Sequence, residues 1–140
     1  FPFPNKKTKD FTKVFKVLID SSQRIWAATK RKGLYYLNPG AASLIRYSGK
    51  INKDKYFKTA ALYDLVEDQP HRFWLATSKG LFHLDVKSGN FTHYLRDPAD
   101  SVSLGANLVR VLYLDRKGLL WLGTIGGGLE RLDEDKTHFI

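Results

Sequence analysis

The chain has 140 residues with no cysteine and no methionine, and it is 43% hydrophobic and 14% aromatic. That composition excludes a disordered tail, a disulfide framework, a thiolate metal site and a cysteine nucleophile, and no apolar run approaches the roughly 20 residues of a membrane-spanning helix. The formal charge of +9 is one-sided: residues 1–60 hold 14 Lys/Arg against 3 acids, residues 61–140 hold 9 against 11, so either attraction to polyanions or a solvated basic face belongs to the first part of the chain.

In chain order, Phe1-Pro2-Phe3-Pro4 is held extended by its prolines and leads into Lys6, Lys7 and Lys9, so residues 1–13 read as an incoming linker or outer strand. The absence of a leading methionine predicts a piece processed or excised from something longer. Val14–Ile19 is a short β-rich run, too short for an ordinary helix. Asp20-Ser-Ser-Gln reads as a tight turn in which the carboxylate takes following backbone N–H groups. Ile25–Thr29 is a second strand, Leu34–Leu37 a third, and Asn38-Pro39-Gly40 a turn into a fourth that ends near Tyr47. The same succession returns from Leu62 and again from Val109. Asp68-Gln-Pro-His and Asp115-Arg-Lys-Gly take the first turn, and the fourth strands end near Tyr94 and Ile140.

The recurrence is a repeat. Trp26, Trp74 and Trp121 are 48 and 47 residues apart, each with an aspartate six before it (Asp20, Asp68, Asp115) and a threonine three after it (Thr29, Thr77, Thr124). Glycine then leucine follow at Gly33, Gly80 and Gly128. Four short strands at a period just under 50 make a β-propeller blade. The expected fold is all-β: three four-stranded antiparallel repeats, with boundaries 14–60, 61–108 and 109–140, the last with an incomplete outer strand. A blade cannot bury both faces alone, so the tryptophans are expected between neighbouring blades, the aspartates and threonines in turn and strand-end hydrogen bonds, and the glycines at backbone angles other residues resist. Three blades do not close a ring, so the partners expected are the remaining blades of the same chain or other copies.

The third repeat, Val111 to Asp133, and the segment Asp97-Pro98-Ala99-Asp100-Ser101-Val102-Ser103-Leu104 before it resemble the two-component regulator propeller repeat and its interblade linker. The resemblance is weaker in the first repeat, where Asp20-Ser-Ser-Gln lacks the turn glycine and Thr29-Lys-Arg-Lys-Gly33 replaces a small-residue loop. It implies part of the periplasmic sensor of a hybrid two-component system detecting oligosaccharides and controlling glycan-utilisation genes. In complete members two seven-bladed propellers and a β-sandwich precede a membrane helix, a histidine kinase, a receiver and a DNA-binding domain, and the full-length sensor is expected to be a dimer.

In a propeller the loops between strands 2 and 3 share one face with the links to the next blade. That face should collect Lys30, Arg31, Lys32 and Lys79, with Lys50, Lys53, Lys55, Tyr56, Phe57 and Lys58 of the 48–60 link. Lys30, Arg31, Lys32, Tyr56 and Lys79 are the candidate site for an acidic oligosaccharide, Arg holding a carboxylate or sulfate through two parallel bonds and Lys acting as a point charge. The same lysines also suit a loop that is merely solvated or faces another domain, and a propeller scaffold with no ligand of its own is the alternative function. Catalysis is not expected: His71, His83, His93 and His138 have no metal-ligand spacing, and no cofactor, nucleophile elbow or phosphate loop is present. Nucleic-acid binding is not expected either, because the aromatics fall at repeated strand positions.

Overall fold

The computed structural model describes residues 13–140, and the expected 1–13 linker falls almost wholly outside them. Among the described residues, eleven strands form three antiparallel sheets in succession. The first is β1 (Val14–Ile19), β2 (Ile25–Thr29), β3 (Leu34–Leu37) and β4 (Ile45–Arg46). The second is β5 (Leu62–Gln69), β6 (Arg72–Thr77), β7 (Gly80–Asp85) and β8 (Phe91–Tyr94). The third has β9 (Val109–Leu114), β10 (Leu120–Thr124) and β11 (Gly128–Arg131), with the fourth-strand place held by the isolated bridge Leu132–Phe139. Within each sheet every strand pairs with its chain neighbour, the meander that short hairpin turns dictate.

Burial shows how the sheets stack. The middle strands of the second sheet are buried along nearly their whole length, whereas β1 alternates between half-buried and exposed residues. The second sheet is covered on both faces, the first on one. Trp26, Leu34, Tyr47, Ile51, Phe57, Leu65, Phe73, Leu75 and Phe82 make one core between the first two sheets. Trp74, Leu81, Leu104, Val109, Leu112, Leu120, Leu122 and Phe139 make the other. Trp26 lies 5.1 Å from Phe73 of the next sheet. Trp121, which has no following sheet, is only half-buried.

Two links cross between sheets. Residues 48–60 form two 3-10 turns, Lys50–Lys53 and Phe57–Thr59, which bury Ile51 and Phe57. Residues 95–108 bury Leu104 and are tied to the third sheet by Gly105 N–H donating to Glu130 at 2.8 Å. Among the described residues no helix is long and apolar enough to cross a membrane.

The outer faces of the stack remain apolar: Val17 and Ile19 are 58% and 62% exposed on the first sheet, Tyr113 and Leu129 64% and 72% on the third. Exposed apolar surface of this extent drives association. Residues 1–140 expressed alone are therefore expected to self-associate, with Leu129→Glu shifting the population toward monomer in sedimentation velocity; a wild-type chain that stays a stable monomer as concentration rises contradicts this.

Candidate functional site

Three equivalent backbone bonds fix which loops share an end. The N–H one residue past each repeat threonine donates to the carbonyl just before the inner strand: Lys30 to Lys13 at 3.1 Å, Ser78 to Ala61 at 3.0 Å, Ile125 to Leu108 at 2.9 Å. The loops between second and third strands therefore lie beside the entrances to β1, β5 and β9. The threonines clamp these loops. Thr29, Thr77 and Thr124 donate their hydroxyls to the carbonyls of Gly33, Gly80 and Gly128 at 2.8, 2.7 and 3.2 Å, and accept from the N–H groups of Lys32, Lys79 and Gly127. Gly80 is the position where glycine is required, since its φ is +104° and a Cβ would strike the Tyr94 carbonyl.

This scaffold holds Lys30, Arg31 and Lys32 on one loop and Lys79 on the next, with Arg31 exposed. Lys79 Nζ donates to Thr59 Oγ1 at 2.6 Å, and the Lys79 carbonyl lies 2.7 Å from His93 Nε2. His93 in turn lies 5.0 Å from the Tyr56 ring, and Lys55 sits 5.0 Å over Tyr56. Tyr56 and Lys79 thus belong to one cluster, joining the link to the second sheet, while Lys30 to Lys32 occupy the neighbouring loop.

Other residues expected on that rim are elsewhere. Phe57 is 3% exposed and packs edge-on against Phe82 at 5.4 Å, so it belongs to the core. Lys50 Nζ donates to Asn90 in the turn between β7 and β8, which directs it away from the loop end. Three side chains that composition and charge did not single out, Phe15, Tyr63 and Arg110, meet at the inner-strand entrances. Their common phase in the repeat, 48 and 47 residues apart, is the signal that marks them.

The opposite end carries the aspartates. Asp20 accepts from Ser22 N, Arg24 N and the Trp26 indole N–H at 2.8, 2.9 and 2.7 Å. Burial opposes its ionisation, but these donors outweigh burial and hold its pKa below the usual value. Asp115 repeats the arrangement with Lys117 N, Leu119 N and the Trp121 indole, the indole bond leading in lowering its pKa. Asp68 departs from its expected turn role. Strand β5 runs through Gln69, Pro70 and His71 close a two-residue hairpin, and Asp68 is left in the strand at a register irregularity. The Pro70 ring presets a tighter turn, and Asp68 pairs instead with His83 Nε2 at 3.0 Å and Lys136 Nζ at 3.8 Å. His83 stacks on Trp74 at 3.8 Å and 3°.

Nearby, Asp133, Asp135 and His138 bring one ligand atom each within 4.8 Å of one another. Asp133 already accepts from Thr137 N and His138 N, and Asp135 from Thr137 N, so the cluster closes a turn with its own backbone.

Residues 103–126 match the family model of the two component regulator propeller. No curated protein matches the chain. Among solved structures, the extracellular domain of the hybrid two component system BT3049 from B. thetaiotaomicron is 25% identical with a TM-score of 0.70, over 90% of this chain and 16% of that one. PorZ, a surface component of the type-IX secretion system of Porphyromonas gingivalis, is similar in fold: 20% identity, TM-score 0.65, over 83% of this chain and 17% of that one. The chain therefore spans less than a fifth of the length of either. The matched segment takes in the end of the link with β9 and β10, and the chain is similar in fold to part of the extracellular domain of a hybrid two component system.

Burial pushes the His83 imidazole below its ordinary pKa of 6.5, outweighing the Asp68 carboxylate that favours the proton. A histidine depressed in the folded state stabilises above its unfolded value and loses that contribution as pH falls through and below about 6.5. The urea midpoint is expected to fall over that range, and His83→Tyr, which places the Tyr36 side chain of the first sheet at the equivalent position, is expected to flatten the fall. Equal slopes in the two proteins would overturn this assignment.

Proposed function

We propose that this chain is a run of sensor-propeller blades in the extracytoplasmic, periplasmic part of a hybrid two-component signalling protein. Its loop end contributes to detection of an oligosaccharide, and the signal is passed to glycan-utilisation genes by a histidine kinase elsewhere in the full-length protein. This part is a binding module, not an enzyme. Further blades of the same protein cover the apolar faces of the first and third sheets, and the complete sensor works as a dimer. What supports the reading is that a basic loop, Lys30 to Lys32, and the neighbouring cluster of Lys79 and Tyr56 belong to the same end of the stack. Binding residues concentrate on loops held by such a scaffold. The likeness to an extracellular two-component domain supports the setting.

An acidic sugar suits this end better than a neutral one, since Arg31 can fork to a carboxylate or sulfate while the lysines supply charge. Replacing Lys30, Arg31 and Lys32 together by Ala is expected to weaken binding of uronate or sulfated oligosaccharides by about tenfold or more. Binding of neutral oligosaccharides should change little, and the difference should shrink as salt is raised. Unchanged affinity for the acidic sugars in calorimetric titration would remove these three residues from the site.

A further inference from the structure

All three inner strands carry the same irregularity at the same place. Their register against the second strand shifts between Val14 and Lys16, between Leu62 and Asp64, and between Val109 and Val111. The residue left over at each shift is Phe15, Tyr63 and Arg110 in turn. A bulge of this kind re-aims the side chain it carries, and here the three side chains are aimed at one another across both sheet boundaries. Phe15 and Tyr63 have ring centroids 5.2 Å apart at 56°. The Arg110 guanidinium lies 4.4 Å from the centre of the Tyr63 ring and 5.6 Å from that of Phe15.

This cluster is not core. Phe15 is 38% exposed, Arg110 is exposed and Tyr63 is half-buried. The adjoining position in the strands, by contrast, is closed: Lys16 Nζ lies 3.3 Å from Asp64, whose other oxygen accepts from Leu112 N at 2.8 Å. The nearest carboxylate in sequence to Tyr63 is thus engaged, and among the described residues no carboxylate forms an ion pair with Arg110. A guanidinium laid over aromatic faces is held in orientation by the ring quadrupoles and keeps its N–H edges for an oxyanion.

We propose that Phe15, Tyr63 and Arg110 form an anion-reading subsite at the inner edge of the stack. Arg110 takes a carboxylate or sulfate of the glycan through paired N–H donors, and the exposed Phe15 ring packs against the adjoining sugar. The proposal rests on the sensor reading above and deepens it: the charge-reading residue comes from the third sheet and its aromatic support from the first two. The site therefore exists only when the sheets are stacked, and its residues are other than those of the Lys30 to Lys32 loop, which lies at the same end of the stack.

The test is titration calorimetry of the intact protein with an alginate trisaccharide (carboxylates alone), a κ-carrageenan tetrasaccharide (sulfates alone), cellotetraose (neutral) and an oligothymidylate. At least one acidic glycan is expected to bind more tightly than cellotetraose and oligothymidylate, and which one identifies the anion. Arg110→Ala is expected to weaken that glycan by about ten- to a hundredfold. Arg110→Lys, which keeps the charge and the fold but lacks the planar fork, should lose most of the same increment, and Phe15→Ala should also weaken it. An Arg110→Ala protein that unfolds at the wild-type temperature and binds the acidic glycan as wild type does overturns the subsite and leaves the sensor reading standing. A wild-type protein that binds neither acidic glycan, or prefers oligothymidylate, overturns both.

Discussion

Everything in this molecule depends on one constraint: a four-stranded sheet has two apolar faces and can cover neither by itself. The first sheet solves this with Trp26, set against Phe73 of the second, and the second solves it with Trp74, which joins the core shared with the third. Indoles suit the task because they fill the wide gap between twisted sheets while keeping one polar atom to be satisfied. In the first and third repeats that atom is bonded to the turn aspartate. A buried donor without a partner costs about 1–3 kcal/mol; the indole bond avoids that cost and at the same time ties the turn to the sheet's face.

The stack also determines where polar groups can work. Asp64 is buried in the second sheet yet bonds Lys16 of the first and Leu112 N of the third. One carboxylate thereby registers three inner strands against one another. Ser21 and Glu67 do the same for the turns at the far end, where the Ser21 N–H and hydroxyl both donate to the Glu67 carboxylate. With the sheets held at both levels, the loop end inherits a fixed arrangement of side chains from separate repeats, the preorganisation a binding surface needs.

The repeat arithmetic made most of this legible from residues alone. Spacings of 48 and 47 between tryptophans identify the sheets, and the threonine–glycine interval locates the loops between second and third strands. What spacing could not convey was direction. Phe57 and Tyr56 are adjacent, but the 3-10 turn sends one into the core and the other toward the loop end. Lys50 and Lys55 share a basic link, yet Lys50 reaches a turn on another side of the second sheet. Asp68 keeps its distance from Trp74 but loses its turn, because Pro70 shortens the hairpin by moving Gln69 into the strand. The bulges were hidden for a related reason: an unpaired residue is a property of two strands together, and neither strand's alternation records it.

The position facing each tryptophan across the sheet shows what variation between repeats means. Tyr36, His83 and Arg131 stand opposite Trp26, Trp74 and Trp121. Their chemistries have little in common, yet each lays a flat group over its indole: a tilted ring at 5.1 Å, a stacked imidazole at 3.8 Å and a guanidinium at 5.7 Å. Change at that position preserves one packing role and so carries no sign of ligand recognition by itself. Position 15, 63 and 110 varies too, from phenylalanine to tyrosine to arginine, but there the side chains are partly open to solvent and cover no core. The distinction lies in whether packing against the next sheet accounts for the side chain. At the indole it does; at the inner-strand bulges it does not, and an arginine held over two rings, with no carboxylate paired to it among the described residues, is the residue the scaffold leaves for something outside it.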